Sequence, residues 1–139
     1  DGADELRFAL DIAGAYPLEA GLKSWRRQVA LKRGQGVEVV DAWELEKPAG
    51  QIAFHLVTPC QVEQAEGGMV RLAAAALAED RLSGAGTIHY DAEKLTVIVE
   101  AIAVDDPRLQ SAWGSRLARL TFTWRRPPLV GETRFWVTA

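Results

Sequence analysis

Arginine and tryptophan are the residue types whose number and placement could do chemistry in this chain. Arginine outnumbers lysine threefold, and Arg26-Arg27, Lys32-Arg33, Arg116, Arg119 and Arg125-Arg126 recur near Trp25, Trp113 and Trp124. A guanidinium grips a carboxylate or sulfate through two parallel N–H donors, and an indole face stacks on a sugar ring. The pairing therefore suits an acidic polysaccharide. A plainer reading stands beside it: arginine stems cover apolar sheet, stack on tryptophan and pair with the 19 acidic residues. Tyr16, Trp25, Arg26 and Arg27, crowded into one short stretch, are the candidate substrate-binding residues.

Other chemistries find less support. His55 and His89 are the only histidines, and each alternates out of phase with apolar neighbours, Phe54 and Leu56 or Ile88 and Tyr90. A metal site needs three or four converging ligands, and no HxxxH or CxxC spacing is present. A metal shared by the two histidines would need their strands to meet across a sheet. No metal and no cofactor is expected. Cys60 excludes an internal disulfide, and after Pro59 it reads as a small buried hydrophobe rather than a catalytic thiol. Asp105-Asp106 and Glu79-Asp80 are adjacent carboxylates that point apart, so they suit caps and turns better than a glycosidase pair. Gly34-Gln35-Gly36 reads as a hairpin corner, since no phosphate loop or Gly-x-Ser-x-Gly elbow accompanies it. No catalytic residue is assigned.

The elements that must position these residues are strands. Period-two alternation runs through Leu6–Ile12, which reads as a half-buried strand, through Trp25–Leu31, through Val37 and Val39 with Ala42-Trp43 after a small break, and through Gln51–Thr58, Leu117–Trp124 and Thr133–Thr138, with Met69–Ala73 as a short candidate. Thr87–Tyr90 and Leu95–Val104 read as a hairpin turning at Asp91-Ala92-Glu93-Lys94. Gly67-Gly68, Gly84, Gly86, Pro127-Pro128 and Gly131 punctuate the rest. The expected fold is all-β, an antiparallel β-sandwich of about 9–10 short strands in one domain over residues 1–139. Leu72–Asp80 has helix propensity, yet its first half is assigned to strand because Gly67-Gly68 looks like a hairpin turn. Pro107–Ser115 predicts one helical turn, N-capped by Asp105 or Asp106 with proline at its first position. A net charge of −3 with no basic face argues against a nucleic-acid partner, and no apolar run approaches a membrane helix.

Several of these residues resemble, in order and spacing, the C-terminal β-sandwich of heparinase II/III-like polysaccharide lyases. They are Tyr16-Pro17, Trp25-x-Arg27-x-Val29-x-Leu31, Val37 to Asp41, Thr58-Pro59, Gly67-Gly68, Asp106-x-x-Leu109 and Trp113-Gly114-x-x-Leu117. The resemblance implies a lyase acting by β-elimination on uronate-containing polysaccharide, with an α/α-toroid preceding the sandwich and substrate lying between them. It also implies that the family's catalytic Asn, His and Tyr lie upstream of Asp1; neither histidine here sits in a matching context. This chain is then expected to be an inactive C-terminal portion that contributes to fold and cleft, periplasmic or secreted if the parent carries a signal peptide. The alternative is a freestanding carbohydrate-binding or interaction module, with Trp43, Trp113, Trp124, Trp136 and Tyr90 as candidate face aromatics. The chain begins without methionine, which fits a piece of a longer protein. A cut sandwich would expose a strand edge, for which Leu6–Ile12 is the candidate, and would self-associate as a two-fold dimer.

Overall fold

The computed structural model describes residues 4–77 and 80–139. Two antiparallel sheets face each other. In chain order the strands are β1 (Glu5–Asp11), β2 (Leu22–Lys32), β3 (Gly36–Leu45), β4 (Gln51–Thr58), β5 (Gln61–Glu66), β6 (Met69–Ala73), β7 (Gly86–His89), β8 (Leu95–Ala103), β9 (Arg116–Arg125) and β10 (Val130–Thr138). The larger sheet has seven strands in the order β1-β2-β3-β10-β7-β6-β5, and the smaller has three, β4-β9-β8. The all-β antiparallel sandwich expected from the alternation is the fold observed.

The core forms where the sheets overlap. Trp25, Trp43, Phe135, Ile88 and Val70 from the larger sheet meet Ile52, Phe54, Leu95, Leu120 and Phe122 from the smaller. Aromatic edges lock the contact: Phe54 and Phe122 lie 5.6 and 5.0 Å from Phe135, and Trp124 stands edge-on to Trp43 at 5.4 Å. Burying each such side chain contributes about 1.5–3 kcal/mol. The β2–β3 hairpin needs its glycine corner, because a Cβ on Gly36 (φ +146°) would fall 2.2 Å from the Val137 carbonyl oxygen.

Four local expectations change. The segments Thr87–Tyr90 and Leu95–Val104 do not form a hairpin: β7 pairs with β6 and β10, whereas β8 pairs with β9 in the other sheet. Residues 91–94 instead carry the chain between sheets. The Asp91 carbonyl accepts from Leu95 N–H (2.9 Å) and the Asp91 carboxylate from Glu93 N–H (3.0 Å), closing a helical turn rather than a two-strand reversal. The strand at Leu72 stops at Ala73, because Ser83 Oγ takes the Ala75 N–H (2.8 Å) and an isolated bridge joins Ala76 to Leu82. Glu79 lies outside the described residues. Strand β5 escaped the alternation because a register shift between Val62 and Gln64 breaks its period. Lastly, β1 alternates as expected but is not half-buried: Leu6 and Phe8 are 61% and 62% exposed. The smaller sheet is offset toward β5, which meets β8, and β4 reaches only as far as Trp25 and Trp43 through Phe54.

Helix α1 (Pro107–Trp113) has proline in its first turn and Asp106 as N-cap, whose carboxylate accepts from Arg108 N–H at 2.8 Å. The Arg108 side chain, and then its backbone N–H, hold the Asp106 carboxyl below the ordinary carboxylate range. A depressed acid stabilises the fold above its ordinary pKa, near 4, and that help disappears as pH falls through the folded value. The Arg108 amide resonance should therefore move in acid as α1 loses its cap. In Asp106→Asn, which caps without a titrating proton, this movement should vanish in an NMR pH titration.

Candidate functional site

The register of β2 on β3 sets Trp25 opposite Trp43, Arg27 opposite Asp41 and Val29 opposite Val39, all on the inner face. Asp41 therefore enters the core fully buried. A carboxylate there is tolerated only with several donors. Trp25 Nε1 donates to Oδ1 at 2.7 Å, Arg27 Nε donates to the same oxygen at 2.8 Å, and Arg27 Nη2 donates to Oδ2 at 3.1 Å. Three donors from two residues, one bidentate, saturate the charge. Tyr16, placed by the 3-10 turns on either side of Pro17, stacks on Trp25 with ring centroids 6.0 Å apart and 18° between planes. On β10, Thr133 lies opposite Asp41, and among the described residues its buried hydroxyl has no hydrogen-bond partner.

Of the candidate substrate-binding residues, Trp25 and Arg27 come together at Asp41, and Tyr16 joins them through its ring on Trp25. Arg26 does not, because it is one residue out of phase and lies on the outer face. There it lines an open trough of about 490 Å³ with Arg7, Gln28, Glu38, Glu132 and Arg134. That trough is largely self-neutralised, since Arg134 pairs with Glu38 at 2.9 Å and Glu132 at 3.5 Å. Sequence reasoning missed Asp41 as the centre of the cluster. Its signal was present: in Val37–Trp43 the alternation puts a carboxylate on the core face.

A second concavity, about 410 Å³, opens at one end of the sandwich between α1, the β8–β9 end and the start of β5. Val62, Val99, Ala101 and Ala118 contribute its apolar wall, with Trp113 and Arg116 among its other residues. Trp113 is 47% exposed, and among the described residues Arg116 makes no ion pair. Cys60, half-buried rather than buried, is on the same wall with its Sγ 3.1 Å from the Gly84 carbonyl oxygen. Among the described residues, two lysines lie over indole rings, Lys32 on Trp136 (5.1 Å) and Lys94 on Trp124 (5.5 Å). Trp43 belongs to the core, and Tyr90 packs edge-on against Phe122.

The histidines do not converge. Both are exposed, His55 in the smaller sheet beside Thr121 Oγ1 (3.2 Å) and His89 in the larger. Each is out of phase with core residues, Phe54 and Ile88 respectively, so they lie on opposite outer faces. Among the described residues, no group of three His, Cys, Asp or Glu could hold a metal ion. No family model matches the chain, and no curated protein matches it.

Two substitutions test the polar cluster. Arg27→Ala leaves the Asp41 carboxylate with one donor in the core and should cost about 2–3 kcal/mol in urea unfolding, lessened by the half-exposure of Arg27. Thr133→Val removes an unpaired buried hydroxyl and should raise stability by about 1 kcal/mol with an unchanged urea dependence.

Proposed function

We propose that this chain is the C-terminal β-sandwich portion of a heparinase II/III-like polysaccharide lyase acting on uronate-containing polysaccharide. In that reading it contributes fold and one wall of the substrate cleft, while the catalytic groups reside upstream. The observation that carries the proposal is the mutual saturation of Trp25, Arg27 and Asp41, three residues of the stretch that resembles the family. Their mutual bonds run between β2 and β3, so they serve to hold the β2–β3 unit together. Proton abstraction from a uronate needs a base beside a group that neutralises the carboxylate, and both histidines lie on outer faces, away from Arg27 on the inner face. Tyr16, with its ring on Trp25, offers a half-exposed edge to a substrate rather than an acid positioned against a base.

A specific feature favours a second reading, a freestanding carbohydrate-binding module: Trp113 stands half-exposed beside the cavity that Arg116 also lines. An indole face and a guanidinium suit an acidic sugar.

The isolated chain should give no rise in ultraviolet absorbance from unsaturated uronate on heparin, heparan sulfate or alginate. Turnover that persists after His55, His89 and Tyr16 are each replaced would overturn the inactive assignment. Translation of the gene upstream of Asp1 should reveal an α/α-toroid, and an unrelated domain there would remove the family reading. Tryptophan quenching by acidic oligosaccharides that disappears in Trp113→Ala would favour the binding module.

A further inference from the structure

The free edge of β1 carries a self-complementary pattern. Two hydrogen bonds flanking the β1–β2 ladder fix its phase: Ile12 N–H donates to the Trp25 carbonyl at 2.8 Å, and Arg33 N–H donates to the Asp4 carbonyl at 2.8 Å. Opposed residues of an antiparallel pair alternate between exchanging both backbone bonds and exchanging none. Even-numbered residues of β1 therefore turn their N–H and C=O groups toward β2. Glu5, Arg7, Ala9 and Asp11 turn theirs away, to the open edge. The same four place their side chains on the outer face, while Leu6, Phe8 and Leu10 lie exposed on the inner face. A row of unpaired backbone groups beside an exposed apolar shelf is a template for another strand.

We propose that the strand is β1 of a second copy of this chain, added antiparallel with Ala9 on the two-fold axis. Charge selects the register. Centring the pair on Phe8 would set Glu5 against Asp11 of the second copy, and centring it on Arg7 would set two guanidiniums face to face. Like charges directly opposed are destabilising. Centring on Ala9 instead sets Arg7, whose guanidinium pairs with Glu5 on its own strand, against Asp11 twice and Phe8 against Leu10 twice. Asp11 is free to take the contact: Ala13 and Trp25 N–H both donate to its Oδ1, and among the described residues its Oδ2 accepts no bond. Ala9 exchanges both backbone bonds with its counterpart, and each Arg7–Asp11 pair exchanges two more. The two larger sheets become one continuous sheet, and the two apolar shelves, each bearing Leu6, Phe8, Leu10 and Leu31, adjoin across the axis.

Sedimentation of the chain from micromolar to millimolar concentration should show a monomer–dimer equilibrium. Ala9→Pro removes an N–H that no β2 group uses, a change an edge strand tolerates. It should leave the near-ultraviolet circular dichroism of the monomer unchanged and weaken association by about tenfold or more. In a Cys60→Ser background, Ala9→Cys should oxidise to a covalent dimer, because hydrogen-bonded partners have Cα atoms about 5.5 Å apart, within disulfide reach. Arg7→Cys, which faces Asp11 rather than itself, should stay uncrosslinked. A monomer at every concentration would overturn the proposal. So would a dimer untouched by Ala9→Pro, or crosslinking through Arg7→Cys in place of Ala9→Cys.

Discussion

Three strands cannot roof seven, and most of what distinguishes this sandwich follows from that mismatch. Only the stretch of the larger sheet beneath β4, β9 and β8 builds a two-sided core, and there the aromatic residues of both sheets interlock. Beyond it the inner face is exposed, so residues with the alternation of a core strand end in contact with solvent, as Leu6 and Phe8 do. Surface of this kind is uncommon on a lone soluble domain and marks a place where something else packs. At the other end, where β8 meets β5, the imperfect overlap opens the cavity beside α1.

The polar cluster lies where the roof runs out. Trp25 is covered by Phe54 from the smaller sheet and by Tyr16, while Arg27, two residues along the same face, keeps 41% of its side chain exposed. That gradient is what makes a buried Asp41 affordable. A carboxylate with three donors is tolerable in the core, and a guanidinium that still reaches water is not fully desolvated. The arrangement also pins register, because a one-residue slip of β2 on β3 would carry Arg27 to the outer face and leave Asp41 unpaired. A polar group at this position thus specifies the β2–β3 unit more than it adds to net stability.

Much of the architecture was legible from the chain. The alternation in Trp25–Leu31, Val37–Trp43 and Leu117–Trp124 reports which face each residue occupies, because strand side chains alternate whatever the tertiary context. The cap on α1 was legible for a similar reason: Asp106, Pro107 and the following turn interact over a few bonds, and that chemistry is local. By contrast, the turn at residues 91–94 looks the same locally whether it returns a strand to its own sheet or delivers it to the opposite one. Only the partners available to β7 and β8 decide between them.

The candidate site divides along the same line. Period-two spacing by itself determined that Trp25 and Arg27 share a face and that Arg26 does not, whereas a break between Val39 and Ala42-Trp43 left Asp41 unassigned. Tertiary structure alone decided that Arg27 and Asp41 lie opposite one another, since that depends on the register of two strands joined at a glycine corner. It also decided that the apolar face of β1 stays bare while the identical pattern in β4 is buried. Hydrophobic alternation tells a strand which side to hide, but whether that side is hidden depends on how far the opposing sheet extends. That extent is a property of the whole packing, written in no single segment.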